Sequence, residues 1–350
     1  MADIHIESLF KIFGKNPKKY IDVVKEGISK EDLLEKHGHI LGLNDINMHI
    51  SERSIHVVMG LSGSGKSTLI RHINRLIDPT AGNITVDGIG VLSLNKHQLL
   101  EFRRNRTAMV FQKFALLPHK TIIENASFGL QIQNINATDA HMRAQKWLDR
   151  VGLSGFEQHY PQQLSGGMQQ RVGLARALAN DADILLMDEA FSALDPLIRK
   201  DMQDMLLTLQ SELQKTIVFI THDLDEALRL GDRVCILKDG KLVQDGKPEE
   251  IIIHPADDYV QEFVQDVNRF KVLRAKTLMT PVSQEDDTSG STFKVHEDHY
   301  LESFLPKMLE QQCDFITVTN TSGDTTGHIK PHKLSDLLKI NLDSAPPPAR

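Results

Sequence analysis

The stretch "GLSGSGKST", residues 60–68, sets Gly60, Gly65, Lys66 and Ser67 at the G-x-x-x-x-G-K-[ST] spacing. Small residues at Ser62, Gly63, Ser64 and Gly65 let backbone N–H groups point at phosphate oxygens. A helix starting at Lys66 would add positive potential there. In this pattern Lys66 bridges the β- and γ-phosphates of a nucleotide and Ser67 ligates Mg²⁺. The loop alone does not separate kinases, GTPases and motor ATPases.

Three further groups narrow the chemistry. "DILLMDE" (183–189) is an apolar run that delivers Asp188 and Glu189 to one strand end, where open α/β sheets bind ligands. Asp188 is placed to hold Mg²⁺, directly or through water, and Glu189 to accept a proton from an attacking water. "LSGGMQQR" (164–171) opens a helix with Ser165, Gly166 and Gly167, which offer a hydroxyl and free N–H groups. An ordinary serine cap reads the same way in isolation. "FSALD" (191–195) follows the acidic pair, and His222 ends the apolar run "TIVFIT".

These groups need elements to carry them. Residues 4–13, 46–50, 55–60, 82–88, 107–112, 183–189 and 216–223 read as strands, and 233–246 as a hairpin turned at Asp239-Gly240. Helices are expected over about 66–77, 165–179 and 198–214. Buried strands alternating with helices imply an α/β fold with a mainly parallel sheet. A helical subdomain interrupts that rhythm over about 91–180. A charged, amphipathic segment, 14–42, separates the first two strands. Within it Ser29 can cap a helix answered by Asp32, Ile28 and Leu33 fit a hydrophobic staple, and Gly27 and Gly38 would end helices.

Together the motifs over residues 4–250 resemble the ATPase subunit of ABC transporters. The resemblance implies an ABC-type core with an antiparallel β edge. It makes 60–68, including Thr68, a Walker A loop, Gln112 the Q-loop glutamine that senses Mg²⁺ and the transmembrane partner, and Asp188 and Glu189 the Walker B pair. Residues 164–168 resemble the signature, with Met168 where many members carry Gln. Asp195 stands in the D-loop, His222 is the switch histidine, and Phe13 stacks on adenine, with Phe10 as its rival. The implied mechanism sandwiches two ATP molecules between two chains. It is passed to membrane permease subunits and, indirectly, to an external substrate-binding protein. The chain would then be peripheral, on the cytoplasmic face of the membrane.

A narrower resemblance, to quaternary-amine importers, rests on "KIFGKNP", "EGISKEDLLEK", "AMVFQKFALLPH" and "THDLDEALRLGDR", and on the 14–42 insertion. It implies uptake of choline, glycine betaine or proline. An ABC ATPase of another importer, or a soluble ABC ATPase acting outside transport, are the alternatives. Many relatives carry paired CBS motifs at the C-terminus; here about 95 residues follow the sheet domain. Residues 255–290 read as a helix and linker, 291–340 as one CBS-like α+β half, and 341–350 as a disordered tail. One half cannot form the usual pair, and a choline importer without osmotic control would fit it.

Composition supports these readings. No stretch approaches the roughly 18 apolar residues of a membrane span, and the N-terminus has no signal-peptide pattern. Cys235 and Cys313 read as structural thiols in a reducing compartment. A net charge of -7 argues against broad nucleic-acid binding. "RRNR" (103–106) reads as a solvated face, or one meeting the membrane partner or anionic lipid, and "HEDHY" (296–300) lacks zinc-site spacing.

Overall fold

The computed structural model describes residues 2–112, 114–281, 293–311, 315–330 and 334. Its contacts divide the chain into two units, Met1–Gly246 and Lys247–Arg350. Among the described residues no helix is long and apolar enough to cross a membrane.

In the first unit β1 (Ile4–Phe13) and β2 (Ile40–Ile50) flank the insertion, which holds α1 (Ile21–Lys25) and α2 (Lys30–His37). There follow β3 (Ile55–Met59), α3 (Lys66–Ile73), β4 (Ala81–Val86), β5 (Ile89–Gly90), α4 (Lys96–Asn105) and β6 (Thr107–Val110). Next come α5 (Ile122–Ile132), α6 (Ala137–Arg150), α7 (Gly166–Ala179), β7 (Ile184–Asp188) and α8 (Pro196–Leu213). The unit closes with β8 (Thr216–Ile220), α9 (Leu224–Leu230), β9 (Arg233–Lys238) and β10 (Lys241–Gly246).

Among the described residues one sheet has the order β10-β9-β3-β8-β7-β6. All its neighbours run parallel except β10, which pairs antiparallel with β9. Every residue of β3, β7 and β8 is buried, so these strands are mostly apolar, with His56 as the polar exception in the middle of β3. Their C-terminal ends therefore bring Gly60, Asp188 and Thr221 to one edge. A second sheet, β2-β1-β4-β5, is antiparallel throughout. Its Ile4, Leu43 and Ile84 pack into the same core as Val58, Ile184 and Val218.

The insertion folds as the local chemistry predicts. The Ser29 hydroxyl accepts from the Asp32 N–H at 3.0 Å, and Gly38 ends α2 in the left-handed region at φ 65°. Val24 and Leu33 are buried against Phe10, Ile12 and Leu41, with Ile28 packed beside them. The segment is pinned where it leaves β1: a Cβ on Gly14 would stand 2.3 Å from the His39 ring. Gly27, between the helices, has nothing within 4 Å of such a Cβ.

Two boundaries differ from the sequence reading. The stretch 91–110 is not part of a helical subdomain. Leu94, Leu99 and Phe102 pack into the sheet core, and β6 is a sheet strand. The separate helical core gathers around Ile122, Leu148, Val151 and Val172 of 122–175. α3 also stops at Ile73, short of residue 77, where Asn74 leaves the helical conformation.

The second unit contains α10 (Pro248–Ile253), α11 (Asp258–Val264), α12 (Ala275–Leu278), β11 (Thr280–Pro281), β12 (Lys294–His296), α13 (Leu301–Gln311), β13 (Ile316–Thr319) and β14 (Thr325–Ile329). Its described strands form a sheet β11-β14-β13-β12. Leu273, Ala275 and Leu278 share one core with Val295, Phe304, Ile316 and Ile329. Residues 273–281 therefore belong to this folded unit, not to a linker. Most of the polar stretch 280–292, Cys313 and the tail 341–350 lie outside the described residues.

Candidate nucleotide site

The phosphate loop leaves β3 and enters α3 through backbone that only glycine tolerates well. Gly60 has φ 146° and Gly65 φ 106°. A Cβ on Gly60 would meet the Leu237 carbonyl at 2.2 Å. One on Gly65 would meet the Gly42 carbonyl at 2.6 Å, and one on Gly240 the same oxygen at 2.9 Å. Backbone bonds lock this junction: Asn44 N–H donates to Gly240 at 2.8 Å, and Gly240 N–H to Ser64 at 3.0 Å. Three segments thus meet backbone to backbone: the start of β2, the phosphate loop and the β9–β10 turn.

Lys66 is buried, and its ammonium donates to the loop's own carbonyls, Gly60 at 2.7 Å and Leu61 at 3.0 Å. Burial pushes its pKa down, while the charges of Glu189 and Asp188 oppose that shift. The Ser67 hydroxyl donates to Asp188 Oδ1 at 2.8 Å, and Arg71 donates to Oδ2 at 3.2 Å. Ser67 and Arg71 stand four apart on α3, hence on one face. That spacing was a signal for Arg71 which the motif reading passed over.

Glu189 adopts φ 47°, a left-handed conformation that costs a non-glycine residue on the order of 1–3 kcal/mol. The turn is held by Glu189 N–H donating to Ile220 and by the Ser192 hydroxyl donating to the Glu189 carbonyl at 2.9 Å. It aims the carboxylate at two partners. Gln112 Nε2 donates to Glu189 Oε2 at 2.8 Å, and His222 Nδ1 lies 3.6 Å from the same oxygen.

A cleft of about 370 Å³ has Phe13, Gly42, Ser62, Gly65, Ser67 and Glu189 among its lining residues, and Asp188, Gln112 and His222 stand behind it as neighbours of Ser67 and Glu189. Gly63, Lys66 and Thr68 line it too, as do Lys30, Ile40 and Leu41, which motif reading did not flag. Ser64 and Gly60 are buried under the loop instead. Phe13 is partly exposed at the cleft, whereas Phe10 is buried in the insertion's core and cannot stack on a base there.

The remaining motif residues stand elsewhere. Ser165 caps α7, accepting from Met168 N–H at 3.3 Å, and Gly166 and Gly167 form the first turn. Asp195 caps α8, accepting from Ile198 N–H at 3.1 Å. A Cβ on Gly167 would lie 2.8 Å from Ile198, so the two helix starts pack together. Neither start lines the cleft.

One other expectation changes. The basic run 103–106 is not a solvated face. Arg103 donates to the carbonyls of Asn74 and Arg75, Arg104 pairs with Glu101, and Arg106 pairs with Asp87 and Asp183. At the other end of the unit Asp3 brackets two histidines, with His5 Nε2 at 2.6 Å and His49 Nε2 at 2.7 Å. Their rings stack within 6° of parallel, with centroids 4.2 Å apart.

A loop cradle, a hydroxyl–carboxylate pair and a second carboxylate bonded to a glutamine are the parts of a nucleotide hydrolase. The family model described as ABC transporter matches residues 43–192. The chain is 49% identical over 345 residues to the glycine betaine/carnitine transport ATP-binding protein GbuA of Listeria monocytogenes, covering 98% of this chain and 84% of that protein. The chain belongs to the ABC transporter ATP-binding proteins. It is an ATPase of that family. It is also 56% identical over 276 residues to the glycine betaine transport ATP-binding protein OpuAA of Bacillus subtilis, covering 79% of this chain and 66% of that protein. With the trimethylamine N-oxide transport system ATP-binding protein TmoW of Pelagibacter ubique it shares 47% identity over 331 residues, 95% of this chain and 96% of that one. Among ABC structures, the dimeric post-hydrolysis ATP-binding cassette MJ0796 bound to ADP and Pi matches with a TM-score of 0.60 at 32% identity, covering 70% of this chain and 98% of that chain.

Proposed function

We propose that the chain is the ATP-hydrolysing subunit of an importer for a quaternary amine of the glycine betaine kind, working as a homodimer. Choline and proline are the other candidate cargoes. The observation that carries the catalytic half is the pair of networks Ser67–Asp188 and Gln112–Glu189–His222, which meet one cleft through Ser67 and Glu189. The cargo rests on the likeness to GbuA and OpuAA, both glycine betaine transport proteins by name.

In this reading Phe13 stacks on adenine, and Gly60–Thr68 hold the phosphates, with Lys66 released from its backbone carbonyls to the β- and γ-oxygens. A hydroxyl beside a carboxylate is the oxygen donor set that suits Mg²⁺. Ser67, Asp188 and the Gln112 amide would hold the ion, which neutralises phosphate charge when bound. Glu189 takes the proton of the attacking water, and His222 steadies the γ-phosphate side. Ser165, Gly166, Gly167 and Asp195 lie off the cleft, so a second chain supplies them. Gln112 relays the cycle to the permease subunits, and a substrate-binding protein acts through those. The site of action is the cytoplasmic face of the membrane, with no nucleic-acid partner. The stretch 291–340 is read as a single CBS-like half, without osmotic gating.

The test is uptake by the complete transporter in vesicles, with labelled glycine betaine, choline and proline. ATP-dependent accumulation of glycine betaine is expected. Accumulation of none of the three would overturn the cargo. Transport rising steeply with ionic strength would overturn the ungated tail.

A further inference from the structure

Helix α2 of the insertion reaches the phosphate loop through a lysine side chain. Lys30, the first residue of α2, donates from Nζ to the Gly63 carbonyl at 3.0 Å, 33 positions away in sequence. Its next charged neighbour is Asp239 in the β9–β10 turn, at 3.9 Å. Lys30 lines the same cleft as Phe13, Gly63 and Ser67. Helix α2 does not explain a lysine there. The start of a helix favours acids over cations, and Glu31 and Asp32 follow. Nor is the Gly63 carbonyl a matched partner, because it is neutral. A phosphate oxygen would add to the ammonium's hydrogen bond a charge–charge attraction that a neutral carbonyl lacks.

We propose that Lys30 is a nucleotide-binding residue that leaves Gly63 for a phosphate oxygen of the bound nucleotide, so that the 14–42 insertion forms one wall of the ATP site. This rests on the proposed nucleotide reading of the cleft. Lys66 approaches the phosphates from inside the loop, bonded to Gly60 and Leu61, and Lys30 from the insertion, bonded to Gly63. The stem of α2 is fixed: Leu33 is buried and Ser29 caps the helix, so the ammonium swings on a rigid base.

Equilibrium titration of the full chain with ATP, ADP and adenosine tests this, using Lys30→Ala, Lys30→Arg and Lys66→Ala. Lys30→Ala should bind ATP and ADP about ten-fold more weakly, the loss expected for one hydrogen bond between charged groups. Adenosine affinity should stay within two-fold, and Lys30→Arg should restore most of the ATP affinity. ATP affinity of Lys30→Ala within two-fold of the parent, while Lys66→Ala loses binding, overturns this proposal and leaves the site reading standing. An equal loss for adenosine and ATP overturns it too, since Lys30 would then support the base wall. A parent chain that binds no ATP overturns both.

Discussion

The cleft at the end of β3 and the helix start at Ser165 are both built to meet anions, yet they are finished to different degrees. At the cleft each charged group already has a partner: Lys66 on two carbonyls, Asp188 on Ser67 and Arg71, Glu189 on Gln112. At Ser165 one side-chain bond closes the first turn, and Gly166 and Gly167 add no side chains of their own. The difference teaches where the missing half comes from. In the proposed reading the wired cleft binds nucleotide alone and exchanges internal partners for phosphate. The bare helix start has donors to offer and no acceptor within the chain's own cleft.

That contrast can be broken at either end. The largest effect is expected from Glu189→Gln, which keeps the shape and the Gln112 contact but removes the base. Turnover should fall about 10²–10⁴-fold with ATP affinity retained, and steady-state hydrolysis set beside equilibrium binding reads both. Parent-like hydrolysis would remove Glu189 from its role.

The next effect concerns the strand that carries the cleft. His56, in the middle of β3, is fully buried, and burial pushes its pKa down to about 4 despite Asp245 at 3.5 Å. The unfolded chain takes up this proton near pH 6.5 and the folded chain does not, so stability is intact above pH 6.5 and declines as pH falls toward 4. Between pH 7.5 and pH 5 the parent should lose about 2 kcal/mol more than His56→Leu. Urea unfolding at the two pH values measures this; equal losses would show that the ring is not held neutral.

The smallest effect is expected at the bare end. Ser165→Ala removes a cap worth about 1 kcal/mol of stability. ATP affinity of the single chain should not change, whereas hydrolysis by the dimer should drop. Weakened binding in dilute, monomeric protein would place Ser165 in its own chain's site and erase the contrast.

Much of this was legible from residue types. The phosphate loop is local, since Gly60, Gly65 and Lys66 need only a strand before and a helix after. The Ser29 cap and the Asp239-Gly240 hairpin are local as well. What sequence left out is held by distant contacts. β2 begins at Ile40, not at 46, because Ile40 and Leu41 pair with Phe13 and Ile12 of β1. α4 reads as part of a helical insert until its Phe102 is seen in the sheet core. The short stretch 275–281 carries few apolar residues, yet Ala275 and Leu278 are core. The backbone of Glu189 is strained by its place between β7 and the Ser192 turn, which no motif records.

The backbone junction of Gly42, Gly65 and Gly240 has a consequence for how the insertion can change over generations. At its exit the Gly42 carbonyl abuts Gly65 and an added Cβ on Gly42 would press on the Phe13 ring, and its entry at Gly14 closes on His39, so both borders are crowded. The tip at Gly27 is open space. Lengthening a flexible loop is cheap, about 0.6 kcal/mol for each doubling. The segment can therefore drift in length and content at its tip while both ends stay in register with the ATP site. It behaves as a tolerant cassette with two fixed borders, and new surface can be trialled there without retuning hydrolysis.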